Sequence, residues 1–242
     1  MHAEVAASPG AIGAAAIESI GLCTYVFVVN AMELKTHLDS LGDPAVAFPV
    51  MSNASECEEI QRPFDRELVR RLHNFLSAAK SLVDLTRNVV NKMYPGGELR
   101  EEYDRRTQDF ATNGRRLLIQ QLRNYVLHNR IPPTSGNLSF TRQPEGFAVQ
   151  ARILLDPKQL LTHWTDWKKP VRRLLESGIE LDLQELVNEY FEHVIDLHSW
   201  LYEAQVREHQ GDIDSANALI EEFKRQLGQP AEWDPPRGSR TS

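Results

Sequence analysis

The stretch that decides the fold begins Leu68-Val69-Arg70-Arg71-Leu72-His73-Asn74-Phe75-Leu76-Ser77-Ala78-Ala79-Lys80-Ser81-Leu82-Val83. It continues through Val89, Val90 and Met93 and stops at Tyr94-Pro95-Gly96-Gly97. Its apolar residues recur every three or four positions, the period of an α-helix with one buried face. At 3.6 residues per turn the spacing predicts an amphipathic helix of roughly eight turns, ended by the Pro-Gly pair.

On the C-terminal side, Glu98 opens another helix whose acidic first turns suit the positive end of the helix dipole. Leu99, Tyr103 and Phe110 form its apolar face, and Asn113-Gly114 marks a break. Leu117, Leu118, Leu122, Tyr125 and Val126 make a further helix, stopped by Pro132-Pro133. On the N-terminal side, residues 1–12 read as loose. Residues 14–41 favour helix, although Thr24-Tyr25-Val26-Phe27-Val28-Val29 has local strand character, because no partner strand lies nearby. Gly42, Pro44 and Pro49 mark a loop that runs on through Ser52–Ser55. Long helices with short connections predict an antiparallel bundle over residues 14–132.

After Gly136 the period falls to two. Leu138, Phe140 and Arg142 alternate, Gln143-Pro144-Glu145-Gly146 turns, and Phe147, Val149, Ala151, Ile153 and Leu155 alternate on the far side: a β-hairpin. Asp156-Pro157 reads as a helix N-cap with proline at the first position, and Leu160, Leu161, Trp164 and Trp167 extend that helical segment. A short helix follows over Pro170–Ser177, closed by Gly178, and Asp182 opens a long one bearing Leu183, Leu186, Tyr190, Val194 and Leu201. Gly211 is predicted to break it before a last helix over Ser215–Leu227. Residues 228–242, with three prolines and no apolar period, read as a disordered tail. The expected fold class is mainly α, with the hairpin and C-terminal helices of 136–227 packed on the bundle.

Composition narrows the function. The chain has 242 residues, 41% hydrophobic and 25% charged, the proportions of a soluble globular protein. A net charge of −7 argues against indiscriminate coating of nucleic acid, which rests on neutralising phosphates. Cys23 and Cys57 have no CxxC spacing and make no disulfide framework, a pattern suited to a reducing cytoplasm. The longest uninterrupted apolar run, Ile20–Val29, is about half the ~20 residues of a spanning helix. The N-terminus carries His2 and Glu4 rather than a basic region. A cytoplasmic protein with no membrane segment is therefore expected. Charge is uneven: residues 114–173 hold eleven Arg or Lys against three acids, +8, leaving −15 on the rest. That window predicts an anion-binding surface.

Within it lies Arg123-Asn124-Tyr125-Val126-Leu127-His128, near the end of its helix. This segment resembles the R-x4–6-H motif of the HEPN superfamily, including the polar residue after the arginine. The resemblance covers at most residues 60–132. It implies an α-helical bundle and a metal-independent endoribonuclease acting as a homodimer on RNA, in toxin–antitoxin or anti-phage systems. An inhibitory partner protein goes with the toxin role. By the same resemblance His128 is the acid or base, Arg123 the phosphate clamp and Asn124 an orienting group. Arg115, Arg116 and Arg130 are the candidate substrate contacts. Some HEPN toxins carry a tyrosine two residues after the histidine where they are nucleotidylated; Arg130 stands there.

The chemistry is coherent with these residue types. Metal-free RNA cleavage needs a proton acceptor for the 2′-hydroxyl, a donor for the 5′-oxygen and a cation for the phosphorane. Histidine serves as either proton-transfer group, and arginine grips phosphate oxygens bidentately. Asn124 and His128 share a helix face, whereas Arg123 and His128 lie about 140° apart, so a second copy of the helix is expected to complete a site. The alternative reading is a non-catalytic helical interaction protein that keeps only the bundle, with His128 capping helix carbonyls.

Other candidates carry less. Arg66 and His73 fit the loose motif without the following asparagine. His193 and His198 sit five apart, off metal-pair spacing, and no HExxH or ExxH occurs. Asp212-Ile213-Asp214 lacks the glycine and glutamate of a calcium loop. No P-loop, GxGxxG or GxSxG is present, so neither metal nor cofactor is expected. Trp164 and Trp167, beside Lys168 and Lys169, are expected to pack the C-terminal extension onto the bundle rather than to stack on bases.

Overall fold

The computed structural model describes residues 8–52, 55–128, 131–143 and 146–226. The predicted apolar stripe is the spine of the fold: Leu68, Leu72, Phe75, Leu76, Ala79 and Leu82 are all buried along helix α3 (Glu58–Met93). With 36 residues, or about ten turns, α3 starts earlier than its apolar period. It is preceded by α1 (Pro9–Asp39), a 3-10 turn (Ser40–Gly42), α2 (Pro44–Met51) and a second 3-10 turn (Ser55–Cys57). It is followed by α4 (Glu98–Thr112), α5 (Gly114–His128), the strands β1 (Thr134–Gln143) and β2 (Gly146–Leu155), α6 (Pro157–His163), α7 (Lys169–Glu176), the two-residue β3 (Leu181–Asp182) and α8 (Leu183–Gln226). The fold is mainly α with one small antiparallel sheet, in the order β1-β2-β3.

The chain divides into two compact units, one of residues 20–199 and one formed by the two chain ends, up to 19 and from 200 onward. The hairpin and the segment up to 199 fall in the same unit as the bundle helices. In the 20–199 unit, Phe27 of α1 packs on Phe75, Phe191 and Tyr190 at ring distances of 5.7, 5.9 and 6.2 Å, and Phe110 meets Tyr190 at 6.0 Å. These rings tie α1, α3, α4 and α8 into one core. In the other unit α1 and α8 pack through glycine. A Cβ on Gly13 would lie 2.8 Å from the His209 ring, and one on Gly10 would overlap the Asp212 carbonyl.

Helix prevails over strand across Thr24–Val29, and the Thr24 hydroxyl donates back to the Ile20 carbonyl at 2.9 Å, one turn earlier. The buried residues Ile20, Phe27, Leu34 and Leu41 are seven apart, with Ala31 and Leu38 between, so α1 enters the core by a narrow seam. Its other face exposes Leu22, Tyr25, Val26, Val29 and Met32. The expectation that no segment is long enough to span a membrane is corrected. Counting only the uninterrupted run missed the Ala- and Gly-rich turns before it, and Pro9–Gly42 is long and apolar enough to cross one.

Other departures have local causes. The loop expected after Gly42 contains α2. Asp43 caps it by accepting from the Ala45 N–H at 2.8 Å, and Pro44 sits in the first turn, where no N–H donor is needed. The helix expected to continue through Trp164 and Trp167 ends at His163. Gly211 does not break α8, because one interior glycine costs only about 1 kcal/mol relative to alanine in a helix of 44 residues. The third strand is too short for a periodicity to show; it pairs Leu181 with Leu155 and Asp182 with Leu154. The Asp182 carboxylate also accepts from the Gln184 and Glu185 N–H groups and so opens α8. The hairpin register places Gln143 opposite Gly146 and Thr134 opposite Leu155. Its turn residues Pro144 and Glu145, the first seven residues and the 228–242 tail lie outside the described residues.

Candidate functional site

The Asn113-Gly114 break sets where α5 begins. The Asn113 side-chain oxygen accepts from the N–H groups of Arg115 and Arg116 at 2.9 and 3.2 Å, satisfying two orphan donors of the first turn. Gly114 lets α5 approach α7, since a Cβ there would lie 2.8 Å from the Pro170 carbonyl oxygen. Leu117, Leu118, Ile119, Leu122 and Tyr125 bury one side of the helix, which holds it rigidly in the bundle.

Arg115 and Arg116, expected as substrate contacts, are already engaged. Arg115 Nε donates to Glu189 at 2.7 Å, with Glu185 3.5 Å from its Nη2. Arg116, 9% exposed, bonds Asp109 and lies 3.7 Å from Glu189. The acids come from α4 and α8, so neither arginine presents a free charge to a phosphate. Both also sit about 18 Å along the helix axis from His128, at 1.5 Å per residue. Arg130 lies outside the described residues.

Arg123, Asn124 and His128 are differently placed. Arg123 is half-buried, makes no ion pair among the described residues, and its Nε is buried without a hydrogen-bond partner. Asn124 is half-buried, and His128 is exposed in the last turn of α5. The link between α6 and α7 lies along this end of the helix. The His128 ring stacks on Trp164 at 6.2 Å with 20° between planes, and Tyr125 stacks on Trp167 at 5.7 Å and 17°. The Trp167 indole N–H donates to the Leu160 carbonyl at 3.1 Å, and the Lys168 backbone N–H donates to the Gln121 side chain at 3.0 Å. Both tryptophans thus pack onto the bundle, as the sequence led one to expect. Lys168 and Lys169 are exposed, and neither makes an ion pair among the described residues.

The discarded histidines also find places. His73 is exposed and borders an apolar cavity of about 210 Å³ with Val69, Val126 and Pro132, beside the end of α5. His193 stands 3.8 Å from Asp109. His198 is buried, accepting from the Thr86 hydroxyl at 3.0 Å and donating to the Val194 carbonyl at 2.8 Å. Burial lowers its pKa, opposed by the bond to Val194. Among the described residues no three His, Cys, Asp or Glu side chains gather as a metal-binding set. Sequence reasoning missed the stacking of Trp164 on His128 and the Gln121 clamp, since neither partner is near in sequence. Compared with protein-family models, curated proteins and solved structures, the chain matches none.

Proposed function

We propose that this chain is a HEPN-type, metal-independent endoribonuclease that works as a cytoplasmic homodimer, with a toxin or phage-defence role drawn from the resemblance alone. The observation that carries the reading is the end of α5, where an exposed histidine and an arginine with no ion pair among the described residues stand within six residues on a helix buried along one side. Among the described residues Arg123 has no acid of its own to satisfy, which suits a group that receives a phosphate. The exposed Lys168 and Lys169, with no ion pair among the described residues, add positive charge that suits a single RNA strand.

In the proposed reaction the 2′-hydroxyl loses its proton to a histidine and its oxygen attacks the phosphorus. The 5′-oxygen leaves with a proton given by the second copy's histidine, giving a 2′,3′-cyclic phosphate and a 5′-hydroxyl. Arg123 stabilises the charge that develops on the phosphorane, and Asn124 orients the nucleotide. Arg123 and His128 diverge by about 140° around α5, so the second copy supplies the partner groups.

The test is RNA incubated with the full chain in EDTA, with product ends identified by mass spectrometry. Cleavage to cyclic phosphate ends is expected, and His128→Ala and Arg123→Ala each slow it by about 10²–10⁴-fold. His73→Ala leaves it unchanged. Cleavage at the parent rate by His128→Ala would sink the proposal, as would an active monomer at micromolar concentration. The exposed apolar face of α1 favours a second reading, the helical interaction protein, for which the same RNA stays intact.

A further inference from the structure

A cavity of about 460 Å³ opens among α3, α4, α5 and α8, within the 20–199 unit. It contains neither Arg123, His128 nor Trp164. Its apolar lining includes Phe110, Leu117, Val194 and Leu197. Thr86 and His198 also line it, and both are buried and mutually satisfied. A carbonyl only accepts, so His198 Nδ1 carries the proton given to Val194, and Nε2 takes the Thr86 hydroxyl proton. This neutral pair leaves no spare donor on the His198 ring for an anion.

The cations of the cavity are Arg87, Arg100 and Lys168, against one carboxylate, Asp104. Arg100 is fixed by Asp104 at 2.8 Å and by the Asn91 side-chain oxygen at 2.6 Å. Arg87 is less well neutralised. Its acid, Asp84, is 3.8 Å away and is held more closely by Lys80. Burial raises the Tyr103 phenol's pKa while Arg87 and Arg100 pull it down, so both guanidiniums bear on one buried ring. The lining therefore carries a net charge of about +2, as a phosphate monoester carries nearly two negative charges at neutral pH. The volume lies within the range of small-molecule sites, about 300–1,000 Å³.

We propose that this cavity binds a nucleoside monophosphate, its ring inward against Phe110 and Leu197 and its phosphate on Arg87 and Arg100. A flat aromatic ring suits the apolar inner lining better than a hexose, whose hydroxyls would be buried there without partners, while the ribose hydroxyls stay with the phosphate at the exposed Arg87 end. Gln120 lines the same cavity and carries the side-chain amide a base edge would meet, whereas the Asn91 oxygen is held by Arg100 and the Thr107 hydroxyl donates to the Tyr103 carbonyl. The proposal does not rest on the ribonuclease reading: it shares only Lys168 with the RNA contacts and no residue with the proton-transfer site.

The experiment is calorimetric titration of the full chain with AMP, adenosine, inorganic phosphate and glucose 6-phosphate. AMP is expected to bind one to one, and each of the other three at least about tenfold more weakly. Arg87→Ala, on an exposed side chain, weakens AMP by roughly ten- to a hundredfold, the loss of one charge-assisted bond. Ala111→Trp, which fills the cavity without removing a charge, weakens AMP comparably. Arg105→Ala, on the same helix but outside the cavity, changes nothing. Glucose 6-phosphate binding as tightly as AMP would overturn the assignment of an aromatic ligand. No AMP binding at millimolar concentration, or binding unaffected by both Arg87→Ala and Ala111→Trp, would overturn the site.

Discussion

Replacing Phe27 by alanine tests whether α1 is held by its narrow seam. The ring is fully buried and touches Phe75, Tyr190 and Phe191, so its loss removes three aromatic contacts and opens a cavity where α1, α3 and α8 meet. Transfer of the ring is worth about 1.5–3 kcal/mol. The unfilled cavity brings a buried Phe→Ala change to about 3–5 kcal/mol. We expect about 4 kcal/mol, a large share of a total stability on the order of 5–15 kcal/mol. At about 2–4 °C per kcal/mol for a chain of this size, Tm falls by roughly 10 °C. Leu22 and Tyr25 lie on the same helix but are 62% and 67% exposed, and alanine at either should cost under about 0.5 kcal/mol. Guanidinium unfolding followed by circular dichroism reads all three. If Leu22→Ala or Tyr25→Ala costs as much as Phe27→Ala, the outer face of α1 is not a water-facing surface and the reasoning fails.

Three further predictions concern the glycines of the same helix and two histidines. Gly21 faces open space inside α1, so Gly21→Ala should stabilise by about 0.5–1 kcal/mol, whereas Gly10→Ala should loosen the unit of the chain ends by driving a Cβ into the Asp212 carbonyl; hydrogen exchange over residues 200–226 reads the second effect. His37, stacked on Phe64, and His198 both have pKa values lowered chiefly by burial. The unfolded chain binds their protons first, so the stability they hold is full above about pH 6.5 and lost as pH falls. His198→Gln should therefore narrow the Tm difference between pH 7 and pH 5, and an unchanged difference would show that His198 already titrates normally.

What was legible in the sequence is what a single element encodes by itself. The α3 stripe, the Asp156-Pro157 start of α6 and the Asn113-Gly114 break each show their cause within a few residues. Asp156 accepts from the Gln159 N–H at 3.1 Å, as its position before proline implied. Proline and glycine misled where position matters more than identity: Pro44 starts a helix rather than preventing one, and Gly211 is outweighed by the turns around it. The site was legible only in part for a similar reason. Arg123 and His128 were visible as a spacing, but the residues that engage Arg115 lie some 70 positions away on α8. The lining of the larger cavity is drawn from residues between 83 and 198 and has no signature in one dimension.

The basic window shows how this changes an energetic conclusion. Its +8 balance counts only acids between 114 and 173, while the field at a phosphate depends on what stands nearby in space. Asp109, Glu185 and Glu189 neutralise Arg115 and Arg116, and Glu180 takes Arg152 at 3.2 Å. Arg172 spends a donor on the Thr165 carbonyl. Around α5 and the link between α6 and α7, the described residues leave Arg123, Lys168 and Lys169, about three cations for an RNA strand under the ribonuclease reading. Each phosphate neutralised on a single strand contributes about −0.7 to the slope of log K against log salt, so three give about −2, whereas all eleven would give about −8. Titrating labelled single-stranded RNA against the cleavage-deficient His128→Ala variant between 50 and 200 mM salt measures that slope. A value steeper than about −5 would mean that the arginines now paired with α4 and α8 release their acids on binding, and that the charge balance read from the sequence was the right guide after all.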